Sequence, residues 1–149
     1  MTPLAVEDHV RIHDLIARYS RGLDTQRRSD FLATFWEDGV LDSSLAGGEF
    51  VGHSGIAEWY DRVHSEPEFA PFLRGQHRPA NVIIEPVAPG EAAVWCQFVL
   101  LTQPDGVPGI AALGEYHDVV TRRGGEWRFG RRTIRIAAAG APAAAGAAR

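Results

Sequence analysis

The chain has 149 residues, 45% of them hydrophobic and 23% charged, proportions of an ordinary globular protein long enough to bury one core. Its formal net charge of -4 leaves no basic footprint for nucleic acid, no run approaches the roughly 18 apolar residues of a membrane span, and MTPLAVEDHV lacks a secretory signal, so a cytoplasmic location is expected. All 15 basic residues are arginine and Cys96 is the single cysteine, which excludes lysine Schiff bases, covalent pyridoxal phosphate, an internal disulfide and a thiolate zinc cluster.

Ile12, Leu15, Ile16, Tyr19 and Leu23 fall at i, i+3, i+4, i+7 and i+11, which predicts a first helix with one buried face. Gly22 weakens its last turn, and Asp24 stands at its end. After a polar link, Ser29 or Asp30 caps a predicted second helix that runs through Phe35 or Trp36 and stops at Glu37-Asp38-Gly39. Residues 39–52 read as a hairpin turning near Ala46-Gly47-Gly48. Ser54 caps a predicted third helix with Ile56, Trp59, Tyr60 and Val63 on its apolar side, and Pro67 and Pro71 end it in a loop. Four long strands follow, roughly 76–87, 91–103, 113–123 and 126–136, parted by Pro-Gly, Pro-Asp-Gly and Gly-Gly turns. Residues 1–136 form one domain, and the Ala/Gly-rich tail 137–149 is expected to be disordered.

Helices first and hairpins after is an α+β order. Residues 94–101, Val-Trp-Cys-Gln-Phe-Val-Leu-Leu, are apolar on both parities, whereas an antiparallel strand with one wet face alternates. Both faces of this strand are expected to be covered, one by the helices and one by a second copy of the chain.

The stretch RGQHRPANVIIE, residues 74–85, enters its strand with His77 and, four residues on, Asn81. If the strand phase holds from His77, then His77, Pro79, Asn81 and Ile83 share a face, and Ile83 makes it the covered one. Read alone, His77 is more often a core histidine satisfying strand-end carbonyls. Asp24 alone reads as a helix terminator, Asn81 as fixing a bend, and Tyr19 as packing. His9 and His13 share a helix face without a completing ligand, His53 and His64 read as surface residues, and His117 and Asp118 point to opposite faces. Cys96 reads as a small buried residue.

Three segments together, IHDLIARYSRGLDTQRRSDFLATFWEDGV (12–40), the H-x3-N stretch and GEYHDVVTRRGGEWRFGRRTI (114–134), resemble the SnoaL-like branch of the nuclear-transport-factor-2-like superfamily. Its members include scytalone dehydratase, the bile acid 7α-dehydratase, hexachlorocyclohexane dehydrochlorinase, polyketide cyclases, steroid isomerases and non-catalytic partners. The resemblance implies a curved, mostly antiparallel sheet wrapped around N-terminal helices, a cystatin-like α+β cone with a central pocket. It implies a catalytic pair of His77 and Asp24, with Tyr19, Asn81, Tyr116 and Arg131 or, preferably, Arg132 at the substrate. Some dehydratases of the family carry a further acid or histidine where residues 98–101 here are apolar.

Trp36, Trp59, Phe31, Phe98 and Leu100 are expected to wall the pocket, suiting a small hydrophobic, even polycyclic, substrate. No dinucleotide fingerprint, metal set or cofactor lysine is visible, so the expected chemistry uses no cofactor and no metal. A neutral imidazole is the natural base near neutral pH, and a carboxylate on one ring nitrogen would hold the tautomer and stabilise the imidazolium. The expected function is a lyase or isomerase working by proton abstraction, of dehydratase, dehydrohalogenase or cyclase type. The alternative is a non-catalytic binding or accessory protein. A homodimer or homotrimer is expected, with no nucleic-acid and no membrane partner.

Overall fold

The computed structural model describes residues 2–73, 75–103 and 105–139. Helix α1 spans Val6–Asp24 and buries Ile12, Leu15, Ile16, Tyr19 and Leu23, the stripe its spacing predicts. Gly22 has a task beyond propensity. A Cβ there would stand 2.8 Å from the Phe31 backbone nitrogen and 2.9 Å from its Cα, so its bare backbone lets helix α2, Arg28–Leu32, cross the end of α1. Gly22→Ala, which raises helix propensity by about 1 kcal/mol in an open helix, is therefore expected to destabilise this protein by roughly 1–3 kcal/mol through overpacking. The sign of the shift in urea midpoint checks this.

The second helix is shorter than the sequence predicts. It ends at Leu32, and strand β1, Phe35–Ser43, takes the aromatic residues instead. The cause is non-local. Thr34 Oγ1 donates to the Phe31 carbonyl at 2.6 Å, the Phe129 amide donates to the Thr34 carbonyl at 2.9 Å, and Phe35 pairs with Phe129. Strand β2, Gly48–Val51, completes the expected hairpin. Helix α3, Gly52–Ser65, begins ahead of Ser54, which does not cap it; its N-cap, Val51, makes no side-chain hydrogen bond. The segment expected as a loop coils into a 3-10 turn, Pro67–Phe69, and helix α4, Ala70–Leu73.

Strands β3 (Gly75–Ala88), β4 (Glu91–Thr102), β5 (Gly109–Arg123) and β6 (Glu126–Ala139) follow. Strand β5 starts earlier than expected, and β6 carries residues 137–139 of the expected tail into the sheet; residues 140–149 lie outside the described residues. The sheet order is β2-β1-β6-β5-β4-β3, antiparallel except for the β1–β6 pair. Register shifts interrupt four of its five ladders, the irregularity by which a sheet bends. The architecture is the expected α+β one, a curved sheet wrapped around the helices, with α1 packed on β3 and β6 and α3 on β1. Along β4, Ala92, Val94, Cys96, Phe98 and Leu100 are buried beneath the helices, while the opposite parity is half-buried or exposed. The outer face is thus not covered within one chain.

The first turn of α1 is tied to the β5–β6 hairpin. Trp127 Nε1 donates to Asp8 Oδ1 at 2.7 Å, and Arg122 Nη1 stands 3.2 Å from the same oxygen. The indole N–H, and then the guanidinium against the opposing effect of burial, hold the Asp8 carboxyl below its ordinary value. A depressed carboxylate contributes stability above its unfolded pKa and loses it as pH falls through the folded one. Asp8→Asn is accordingly expected to flatten the acid limb of stability below about pH 4, measured as urea midpoints between pH 2 and 6.

Candidate active site

Asp24 is the last residue of α1. The chain leaves it through Thr25, whose amide and Oγ1 donate to the Arg21 carbonyl at 3.0 and 2.6 Å, and through Gln26 at φ 55. This exit lays the carboxylate against the start of β3. Asp24 Oδ1 accepts from His77 Nδ1 at 2.5 Å, and Oδ2 accepts from the His77 backbone N–H at 2.9 Å. One carboxylate therefore fixes both the ring and the strand that carries it. The side chains are 10% and 14% exposed for His77 and Asp24. A carboxylate facing Nδ1 requires the proton there, so the neutral ring keeps its lone pair on Nε2.

Helix α3 braces the turn that carries Asp24. Tyr60 Oη donates to the Gly22 carbonyl at 3.0 Å, and His64 Nε2 lies 3.2 Å from the Leu23 carbonyl. Burial raises the Tyr60 phenol to about 12, so it stays a neutral donor. The His64 ring stacks on Tyr60 at 4.0 Å, and His53 Nε2 meets the Phe35 carbonyl at 2.9 Å. Both histidines are half-buried with backbone partners, not the surface residues expected from sequence.

The predicted strand phase holds for His77 and Pro79 and then breaks. Asn81 sits at φ 54, and the β3–β4 register shifts between Ala80 and Ile83. Asn81 is exposed and donates to Gln97 Oε1 at 2.7 Å, so it does not face inward. Ile83 is 51% exposed, while Val82 and Ile84 pack on the core instead. A bulge moves every later side chain to the other face. Trp36 also lies elsewhere. Once its segment is a strand, its ring packs between the Arg123 and Arg128 guanidinium groups at 4.9 and 4.8 Å, and its Nε1 donates to the Thr121 carbonyl.

His77 stands on the wall of an inner hollow of about 40 Å³, together with the expected Tyr19, Trp59, Phe98, Leu100 and Tyr116. Ser43, Leu45, Phe72 and Ile134 line it too, and the sequence reading missed them. The expected wall residue Phe31 is buried instead among Tyr19, Phe35, Trp59 and Tyr60. A hollow of this size admits water but no ring, since ligand pockets usually run from about 300 Å³. Where the resemblance implies a central chamber, the structure has this small hollow. Phe72 and Leu45, both half-buried, are carried by the short α4 and the β1–β2 turn, the parts of the wall with the least regular structure. A larger cleft, about 720 Å³, opens elsewhere on the surface between α1 and the β5–β6 turn; its arginines and carboxylates oppose one another, and neither His77 nor Asp24 reaches it.

Arg132 is fully buried, and so is its partner Asp118. Arg132 Nε donates to Oδ1 at 2.9 Å and Nη2 to Oδ2 at 2.7 Å. The guanidinium lies over the rings of Tyr19, Tyr116 and Phe129 at 4.1, 4.0 and 4.1 Å. Burial alone would lower its pKa, but the Asp118 carboxylate outweighs that and raises it, so the charge is retained. Burial also keeps the Tyr19 and Tyr116 phenols neutral by raising them above their ordinary value. Arg131, the other basic position considered, turns outward to Glu49 at 2.8 Å. Asp118 went unrecognised in sequence although parity could have found it: two residues after the inward Tyr116, it faces the same way and pairs in register with Arg132. Among the described residues no group of three His, Cys, Asp or Glu side chains is placed to hold a metal ion.

Comparison with known proteins bears on fold and family. No curated protein matches the chain. Among solved structures, Rv3472 of Mycobacterium tuberculosis, of unknown function, is 26% identical with a TM-score of 0.74, over 87% of this chain and 72% of that one. A protein of unknown function with a cystatin-like fold from Nostoc punctiforme is 23% identical with a TM-score of 0.78, over 91% and 95%. A Novosphingobium aromaticivorans protein provisionally named a scytalone dehydratase is 24% identical with a TM-score of 0.73, over 89% and 86%. The last two likenesses speak for the fold alone. The model of the SnoaL-like domain matches residues 5–133, nearly the whole described chain, and the protein belongs to the SnoaL-like family.

Proposed function

We propose that this protein is a lyase or isomerase that removes a proton from a small hydrophobic ring compound, with His77 as general base and Asp24 as its orienting partner. The observation that carries the reading is the two-point grip of Asp24 on His77, ring and backbone together, beside an apolar hollow. With Nδ1–H donated to the carboxylate, Nε2 takes the proton from a C–H or O–H of the substrate, and Asp24 stabilises the imidazolium that results. The electron pair left behind moves to a neighbouring leaving group in an elimination, or into a carbonyl in an isomerisation or cyclisation. Tyr19 and Tyr116, neutral donors beside Arg132, are suited to the oxygen that gains charge. Phe98, Leu100 and Trp59 supply the apolar wall.

The test is a screen of hydroxylated and halogenated cyclic compounds for elimination, or for deuterium uptake from D2O. Turnover by the wild type that is lost in His77→Ala and reduced in Asp24→Asn supports the proposal; equal turnover in all three contradicts it. The small size of the hollow favours one other reading, a non-catalytic binding or accessory protein in which the dyad is a polar tether. Binding without turnover or exchange across the screen would select it.

We also propose that copies of the chain associate through the outer face of the sheet. Ile83, Leu101 and Leu113 are 51%, 37% and 42% exposed there, an apolar set of the kind that marks an interface. Light scattering is expected to give a dimer or trimer at micromolar concentration, and Leu113→Asp a smaller species. A wild-type monomer contradicts the proposal.

A further inference from the structure

Three residues that line the hollow each carry a buried polar atom with no hydrogen-bond partner among the described residues: Tyr19 Oη, Ser43 Oγ and Trp59 Nε1. They come from three separate elements, α1, β1 and α3. A fourth, Arg132 Nη1, belongs to the guanidinium whose carbon lies 4.1 Å from the centroid of the Tyr19 ring. Their parent residues are 0%, 0%, 2% and 0% exposed in that order. A buried polar group without a partner costs roughly 1–3 kcal/mol, and folded proteins keep few of them. Elsewhere the isolated hydroxyls of Ser20 and Thr121 also lack a partner, while the indoles of Trp36 and Trp127 donate to the Thr121 carbonyl and Asp8, and the Tyr60 hydroxyl to Gly22. Here they gather around one hollow.

Their chemistry is asymmetric. An indole N–H and a guanidinium N–H only donate, while the two hydroxyls donate or accept. A ligand that satisfies them must bring acceptors, and the strong neutral acceptor on a ring compound is oxygen. Carbon-bound chlorine accepts hydrogen bonds weakly and would leave the donors in want. We propose that Ser43 and Trp59 are specificity-determining residues that recognise a carbonyl or hydroxyl oxygen which a ring compound inserts into the hollow, so that the site favours oxygenated ring compounds over halogenated and unsubstituted ones. This deepens the proposed function, resting on it for the identity of the site, and it removes halide as the leaving group. Tyr19 and Arg132 serve the same oxygen or a second one; Ser43 and Trp59 are the pair that can be altered without touching the buried Arg132–Asp118 contact.

The test uses the full-length protein, uniformly labelled with nitrogen-15, and four probes on one skeleton: 2-tetralone, 2-tetralol, tetralin and 2-chlorotetralin. Affinities come from NMR titration, and the Trp59 indole resonance is assigned by its loss in Trp59→Phe. The ketone and alcohol are expected to bind at least tenfold more tightly than the hydrocarbon and the chloride, and to move the Trp59 indole proton downfield. Ser43→Ala and Trp59→Phe should each reduce the ratio of ketone affinity to tetralin affinity several-fold. If Trp59→Phe does not fold, Ser43→Ala carries the test. Equal binding of all four, a preference unaltered in both variants, or no binding of any probe overturns the inference. Failure of the base chemistry reads differently: oxygen-selective binding with the indole shift, but no His77-dependent turnover or exchange, leaves the inference standing and removes the base. Elimination of chloride that depends on His77 does the reverse.

Discussion

Asp118→Ala is expected to destabilise the protein by roughly 3–5 kcal/mol, because it strands a buried guanidinium with no counter-charge. Arg132 is 0% exposed and reaches the carboxylate through two hydrogen bonds, with aromatic faces against it. Stacking on those rings, worth up to about 2 kcal/mol in a dry setting, does not replace the pairing. The double replacement Arg132→Met with Asp118→Leu removes both charges and is expected to recover most of the loss, since an apolar pair of similar volume is often as stable as a buried ion pair. Urea denaturation of the three variants checks the pattern. If the double variant folds well yet turns over nothing that the wild type does, Arg132 is retained for chemistry; if it folds and remains active, the pair is structural.

The second large effect is expected at the dyad. His77→Ala should lower kcat by about a hundredfold to ten-thousandfold, the usual range for losing a positioned general base. Asp24→Asn should approach the same range for a different reason. Both oxygens of Asp24 accept N–H donors, one from the ring and one from the His77 backbone. An amide in its place sets an NH2 against one of those donors. The ring then reverses its tautomer, and Nε2 carries the proton that it should be free to receive. Because this change acts on the base and not on the apolar wall, KM should move far less than kcat. Loss in KM with kcat unchanged would mean that His77 binds the substrate without abstracting its proton.

How much of this was legible in the sequence depends on the distance over which each feature is determined. The stripe of α1 and the paired strands β3 to β6 follow from local periodicity, and they were read correctly apart from their ends. Residues 35 and 36 were read as helix because their aromatic run fits either element; the ladder from Phe35 to Phe129, closed far along the chain, decides for strand. In that strand Trp36 turns toward Arg123 and Arg128, away from the expected pocket wall. Asn81 was misplaced because a bulge has no period, although asparagine is among the few non-glycine residues that accept a positive φ, here 54. The meeting of Asp24 with His77 joins a helix end to a strand start, which no local pattern encodes; the family resemblance supplied it. Asp118 was within reach, for alternation from Tyr116 turns it inward.

The most direct measurement is a side-chain nitrogen-15 correlation spectrum of His77 at neutral pH. It should show the proton on Nδ1, shifted far downfield by the 2.5 Å contact with Asp24, and an unprotonated Nε2 whose signal responds to bound ring compounds. A ring protonated at Nε2, or one unchanged by Asp24→Asn, would contradict the proposed base.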